Sequence, residues 1–217
     1  MNLAAEKGYD RLAPWYESIE RLRFGQALQN ARTAFLPELC NSRRALFLGE
    51  GDGRLLQAFA RMNSAARMTS IDLSSQMLAL QKKRLQSAGQ AQRAEWLKGD
   101  AMAAQFGKGD FDLIVTPFFL DCFGSQELQI LIPKLTQWLS ESGQWYLVDF
   151  NLPPSGLSRH WAQFWLRAMH LFFRWQTGLK VRQLVLPDPE IHRQGFKLVH
   201  HKVSRLHFLR STIFQKA

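Results

Sequence analysis

The chain alternates short apolar runs with longer stretches in which apolar residues recur every three or four positions. This is how buried parallel strands separated by helices read in sequence. Ala45-Leu46-Phe47-Leu48 is the first such run, and it stops at three alternating glycines, Gly49, Gly51 and Gly53. A helical run over 55–62 follows. Residues 67–71 read as a second strand delivering Asp72, after which Ser74 or Ser75 caps a helix to about residue 87, stopped by Gly89. Residues 94–98 and 111–116 read as strands three and four. A helix after Ser125 carries Leu128, Leu131, Ile132, Leu135 and Leu139, with Pro133 expected to kink or delay it. Gly143 is expected to close the turn into a fifth strand, 145–150.

Ahead of this core, residues 9–38 read as helices interrupted at Pro14 and Gly25. Behind it, residues 160–175 form an amphipathic helix. Trp161, Phe164, Trp165, Ala168, Phe172 and Trp175 share its apolar face, opposite Gln163, Arg167, His170 and Arg174. That face either packs on the sheet, borders a lipophilic pocket, or rests on a membrane surface. Asp188-Pro189 should cap and start a short helix ending at Gly195, and 196–203 and 208–214 should pair as antiparallel edge strands. The expected fold is an α/β, Rossmann-like, doubly wound and mainly parallel seven-stranded sheet with an antiparallel C-terminal strand pair and N-terminal cap helices. Residues 1–217 are expected to form one domain: a helical cap (1–40), a ligand-binding core (41–150), and the amphipathic helix with the last strands (151–217).

Composition adds bounds rather than a new picture. At 217 residues the chain can bury a substantial core, and 46% hydrophobic with 12% aromatic residues argues against disorder. The N-terminus lacks the apolar core of a signal peptide, and no run of about 18 apolar residues exists to span a membrane. Two cysteines, Cys40 and Cys122, are too few for a disulfide framework or a zinc site, so a reducing cytoplasm is the expected compartment. No His/Cys/Asp/Glu group has metal-ligand spacing. Lys+Arg of 28 against Asp+Glu of 18 gives a formal charge of +10. This balance suits an anionic partner, either nucleic acid or an anionic membrane surface, or else a scattered basic surface with no partner. The basic residues form no dense tract, which disfavours a dedicated nucleic-acid arm.

The glycines carry the chemistry. A strand that turns sharply into a helix needs φ > 0 and room for a ligand, and the helix beyond points unpaired N–H groups at it. Asp72 lies roughly 20 residues further on, the spacing of a ribose-binding carboxylate.

With these residues the chain resembles the class I S-adenosylmethionine-dependent methyltransferases, small-molecule branch. The likeness rests on Leu48-Gly49-Glu50-Gly51-Asp52-Gly53, Ile71-Asp72-Leu73-Ser74-Ser75-Gln76-Met77-Leu78, Gly99-Asp100-Ala101 and Phe111-Asp112-Leu113-Ile114-Val115-Thr116. Tyr9-Asp10-Arg11-Leu12-Ala13-Pro14-Trp15-Tyr16-Glu17 is similar to that branch's lead-in. The resemblance implies S-adenosylmethionine as cofactor, bordered by Tyr9, Tyr16, Gly49, Glu50, Gly51, Gly53, Asp72, Leu73, Met77, Asp100, Ala101, Thr116 and Phe118. Asp100 would accept from the adenine amino group, or cap the turn before Ala101. Tyr9 and Tyr16 would line the pocket or pack the cap, while Trp15 reads as packing. One departure stands out. The family's acid two residues before the first glycine is Phe47 here, the loss of a charge-assisted hydrogen bond of roughly 1.5–3 kcal/mol, for which Glu50 or Asp52 would compensate.

The cofactor's sulfonium methyl is already reactive, so orientation does most of the work. Thr116-Pro117-Phe118-Phe119 lacks the amide or acid that handles a flipped base, and its apolar rim suits an aromatic or lipophilic small molecule. Asp121, Asp149 and His160 are the candidate bases. Capping is the alternative for Asp121, and a strand-end role for Asp149. Methylation of RNA or protein on the same fold, or a degenerate non-catalytic module, are the competing functions.

Overall fold

A computed structural model describes residues 3–153, 155–177, 184–204 and 207–217. Seven strands form one sheet in the order β3-β2-β1-β4-β5-β7-β6. β1 (Arg44–Leu48), β2 (Arg67–Asp72), β3 (Ala94–Lys98), β4 (Phe111–Pro117) and β5 (Leu139–Phe150) are parallel. β7 (Leu209–Lys216) runs antiparallel between β5 and β6 (Phe196–Ser204). The strand order reverses between β1 and β4, and that switch point opens a crevice beyond the strands' C-terminal ends.

Alternation along β1 builds both layers. Phe47 points to one face with Leu55, Phe59 and Tyr146, whereas Leu46 and Leu48 point to the other with Ile114, Trp145 and Leu147. The first layer is covered by α4 (Arg54–Met62), α5 (Ser75–Ser87) and α3 (Ala27–Arg32). The second is covered by α6 (Ser125–Trp138), which runs through Pro133 without a break, and α8 (Asp188–Arg193). α1 (Leu3–Leu12), α2 (Tyr16–Phe24) and α7 (Gly156–Thr177) lie over the crevice.

The structure revises four local expectations. β5 starts at Leu139, directly out of α6, and Gly143 sits at a bulge: Leu139 pairs with Phe111, but Gln144 pairs with Leu113. A Cβ at Gly143 would lie 2.6 Å from Leu139 Cγ, so the bulge needs glycine. Asp188 stands inside α8, and its carboxylate accepts from Arg210 Nη1 at 2.6 Å instead of capping the helix. α7 is rotated from the predicted wheel: Ala162 and Leu166 are buried while Phe164 is exposed. Its inward side therefore runs through Trp161, Ala162, Trp165, Leu166 and Met169. The side chains of Phe172 and Trp175 lie outside the described residues. Trp15 is exposed rather than packed.

Phe47 is fully buried, its ring edge-on to Phe59 at 5.4 Å between centroids. The acid customary at this position is thus replaced by a core residue. Phe47→Ala is expected to cost about 3–5 kcal/mol. Phe47→Asp should cost at least as much, because an unpaired carboxylate would be buried. Thermal melts of the two variants check this; a Phe47→Asp protein as stable as wild type would contradict the packing.

Candidate active site

The crevice encloses about 950 Å³. Its floor is the turn after β1, where Gly49, Gly51 and Gly53 have φ of 61°, 76° and 92°. Side chains are excluded for two separate reasons. A Cβ at Gly49 would lie 2.5 Å from Phe119 Cδ2, and one at Gly53 would lie 2.7 Å from the Gln81 backbone. α5 braces the turn from outside: Gln81 Nε2 donates to the Gly51 carbonyl at 2.9 Å, and Arg84 Nε donates to the Asp52 carbonyl at 2.8 Å.

Gly49 and Gly51 line the cavity, whereas Gly53, packed on α5, does not. Glu50 also turns away. Its Oε1 accepts the N–H groups of Leu55 and Leu56 at 2.8 and 3.2 Å, capping α4. Burial, and then the neighbouring Asp52, push its carboxyl up to about 8. Asp52 is occupied by Arg54 Nε at 2.9 Å and Arg84 Nη2 at 3.0 Å. Neither acid of the turn lines the cavity, so neither makes up for Phe47. The acid that does reach the wall here is Glu20 of α2, buried and gripped by Arg32 (Nη1 at 2.8 Å) and by Arg54.

Asp72 lines the cavity at the end of β2. Its Oδ1 accepts the Ser74 N–H at 2.9 Å, and burial pushes its carboxyl up to about 7, with Asp10 contributing. Asp10 was not legible as a site residue. It accepts from Ser74 Oγ at 2.5 Å and from the Gln76 N–H at 3.2 Å, latching α1 onto the start of α5. Leu73 and Met77 follow Asp72 on the same wall. Beside them, just past the end of the neighbouring β3, are Asp100 and Ala101, where Asp100 Oδ1 also accepts the Met102 N–H at 2.9 Å, so its turn-capping role is present. A Cβ at the adjacent Gly99 would meet nothing within 4 Å, leaving open space beside these carboxylates.

Much of the remaining lining is aromatic. Phe118, Phe119, Phe123, Phe150 and Trp165 contribute to it, with Tyr9 and Tyr16 from the cap. Phe118 has φ 53°, an unusual conformation for a side chain of its size. Burial raises both tyrosine hydroxyls well above their ordinary range. Thr116 is not part of this wall: it is fully buried, and its Oγ1 accepts from Trp145 Nε1 at 2.9 Å.

The three candidate bases separate. Asp121 lines the cavity, and burial pushes it up to about 6. Cys122 Sγ lies 3.6 Å from its Oδ1 and 3.8 Å from Tyr9 Oη. Asp149 lies behind the wall, paired in register with Arg210 of β7, and burial followed by the charge of Asp121 raises it well above a normal carboxyl. His160 is exposed on α7, its Nδ1 3.1 Å from the Gly156 carbonyl, and is not in the cavity. Among the described residues, no three His/Cys/Asp/Glu side chains are grouped to hold a metal ion, and no helix is long and apolar enough to cross a membrane.

Comparison with known proteins agrees with this geometry. Residues 45–143 match the family model described as a methyltransferase domain. A demethylmenaquinone methyltransferase from Thermus thermophilus is 28% identical over 150 residues, 68% of this chain and 66% of that enzyme, just under two thirds of its length. Among solved structures, a Burkholderia thailandensis 1,6-didemethyltoxoflavin-N1-methyltransferase with bound substrate and S-adenosylhomocysteine superposes with TM-score 0.67 at 15% identity, covering 99% of this chain and 88% of that one. The mitomycin 7-O-methyltransferase MmcR superposes with TM-score 0.68 at 16% identity, covering 96% of this chain and 60% of that one. Over the core that holds the crevice, the chain is similar to the class I S-adenosylmethionine-dependent methyltransferases, whose cofactor is S-adenosylmethionine. The residues present fit that cofactor: a side-chain-free glycine turn, two carboxylates beside open space, and a cavity large enough for a second molecule beside it.

Asp72→Asn is expected to weaken S-adenosylhomocysteine binding by about ten- to a hundredfold. Binding by wild type should also weaken as pH falls below about 7. The ligand's hydroxyls favour the charged carboxylate, so a protonated Asp72 must first lose its proton. Calorimetry across pH 5.5–8.5 checks both, and a pH-independent affinity would contradict the assignment.

Proposed function

We propose that this protein transfers the methyl group of S-adenosylmethionine to a small aromatic or lipophilic acceptor by in-line displacement. The observation that carries the reading is a single cavity lined by the carboxylates of Asp72 and Asp100 beside the glycine turn and by a set of aromatic side chains together with Asp121.

In this reading Asp72 would accept both ribose hydroxyls and Asp100 would accept from the adenine amino group, with Leu73, Met77 and Ala101 supplying apolar surface beside the base. Gly49 and Gly51 let the backbone approach the methionine part. The bound cofactor supplies a methyl on a sulfonium with a neutral leaving group. Everything else is positioning. Phe118, Phe119 and Trp165 hold a flat acceptor against the methyl and keep water out, a contribution of roughly 7–11 kcal/mol when orientation is complete. Asp121, ionised at neutral pH, takes the proton from an acceptor hydroxyl as the bond to carbon forms. Burial and then the charge of Asp121 disfavour ionisation of Asp149, which favours leaving the negative charge on Asp121. The Thermus relative's name, with demethylmenaquinone as substrate, supports a lipophilic acceptor.

Incubating the protein with methyl-labelled cofactor and a lipid-soluble cell extract should place label in a small organic-extractable product. Label in no fraction would overturn the reading in favour of a binding module, and label in RNA or protein alone would reassign the acceptor. Asp121→Asn should lower kcat by about 10²- to 10⁴-fold while leaving S-adenosylhomocysteine affinity unchanged. In wild type, kcat/KM should rise as pH passes upward through about 6, where Asp121 ionises. A flat profile would remove Asp121 as the base.

A further inference from the structure

The cavity's mouth is edged by apolar side chains that the fold leaves in water. Ile19 and Leu22 of α2 line the cavity, yet they are 42% and 92% exposed. Trp15, immediately ahead of α2, is 67% exposed and falls on the same side as Ile19, four residues on. On α7, Phe164 and Leu171 are 62% and 65% exposed and, seven residues apart, share one stripe. Ala168, between them, lines the cavity. The two stripes meet where the Arg23 guanidinium stacks 3.4 Å from the centre of the Trp165 ring. Scattered apolar residues on a surface need no explanation, but large side chains gathered around one opening do.

The exposed charges on α1, α2 and α7 have one sign, although the exposed Glu127 of α6 also lines the cavity. Arg11, Arg21 and Arg23 are exposed on α1 and α2, and Arg167 is exposed on α7. The acids of α2 are drawn away from the rim: Glu20 is buried against Arg32 and Arg54, and Glu17 bridges Arg84 and Arg21. α7 contains Arg159, Arg167 and Arg174 and no Asp or Glu anywhere along its length. Apolar tips bordered by arginines match the interface of an anionic bilayer, where side chains enter the acyl boundary and guanidiniums meet phosphates. A second copy of this chain fits poorly, because it would bring like charges together on a protein of net charge +10.

We propose that Trp15, Ile19, Leu22, Phe164 and Leu171 form a docking surface for an anionic phospholipid membrane, placing the cavity mouth against the lipid so that a lipophilic acceptor enters from the leaflet. The role of the surface rests on the lipophilic-acceptor reading above; the surface itself is tested without any acceptor.

Vesicle flotation is the test, with phosphatidylglycerol-containing and pure phosphatidylcholine vesicles, on wild type and on a Phe164→Glu/Leu171→Glu double variant. Neither substituted residue lines the cavity. Wild type should float with the anionic vesicles and much less with the neutral ones. The double variant should lose binding by about tenfold or more, with its S-adenosylhomocysteine affinity and melting temperature unchanged. Wild type staying in the soluble fraction with anionic vesicles would overturn the proposal, as would a variant that floats equally well. Salt-resistant binding to tRNA without binding to vesicles would overturn it in favour of a nucleic-acid face. Flotation by a protein that fails to bind S-adenosylhomocysteine would leave the surface standing and refute the cofactor reading alone.

Discussion

Glu20 holds the functional end of the molecule together. It is buried on α2, accepts two hydrogen bonds from Arg32 of α3, and is also bridged by Arg54 at the start of α4. Arg54 in turn holds Asp52 of the glycine turn, and Arg84 of α5 joins Asp52 to Glu17 of α2. The cap, the turn and the three helices α3, α4 and α5 thus share one charge network. The end of α3 is pinned to the sheet as well, through Tyr146 Oη and Ser211 Oγ at the Ala31 carbonyl, 2.9 and 2.7 Å away. Buried pairs of this kind add little to stability compared with an apolar replacement, but removing one partner strands the other at a cost of about 3–5 kcal/mol. The arrangement therefore fixes where the cap sits more than how firmly the chain folds.

That fixation explains the electrostatics of the crevice. Arginines neutralise Glu17 and Glu20 and hold both carboxyls below their ordinary values. Asp72 and Asp121 lack such partners, and burial raises them to the edge of neutrality. Carboxyls that titrate near neutral pH respond to a ligand, while saturated ones serve as struts. Position relative to the guanidiniums sorts the acids of this site into those two groups.

The strand-helix alternation was legible because each buried parallel strand is a short apolar run ended by glycine or an acid. The glycines at 49, 51 and 53 and Asp72 were legible for the same reason, since turn geometry restricts residue type. What sequence concealed was contact across large separations. Nothing local marks Glu20 as the acid at the turn, because its partners Arg32 and Arg54 lie on other helices. Thr116 ends a strand at the right place, but the indole of Trp145 faces it and draws it into the sheet. His160 has the right chemistry but sits on the outer side of α7, whose rotation is set by packing of Ala162 and Leu166 rather than by its aromatic periodicity. Gly143 carried a turn signal that a bulge equally satisfies.

Phe118 shows how the aromatic lining is shaped. Its backbone at φ 53° sends consecutive rings in different directions. The Phe118 ring lies 5.0 Å from Phe150 and sits beneath the Arg32 guanidinium, whereas Phe119 leans over Gly49. Glycine at 118 would relax a conformation that costs of order 1–3 kcal/mol, but it would also remove the ring that packs between Phe150 and the Arg32 guanidinium. Local comfort and the shape of the cavity wall are therefore opposed at this residue, and the chain keeps the wall.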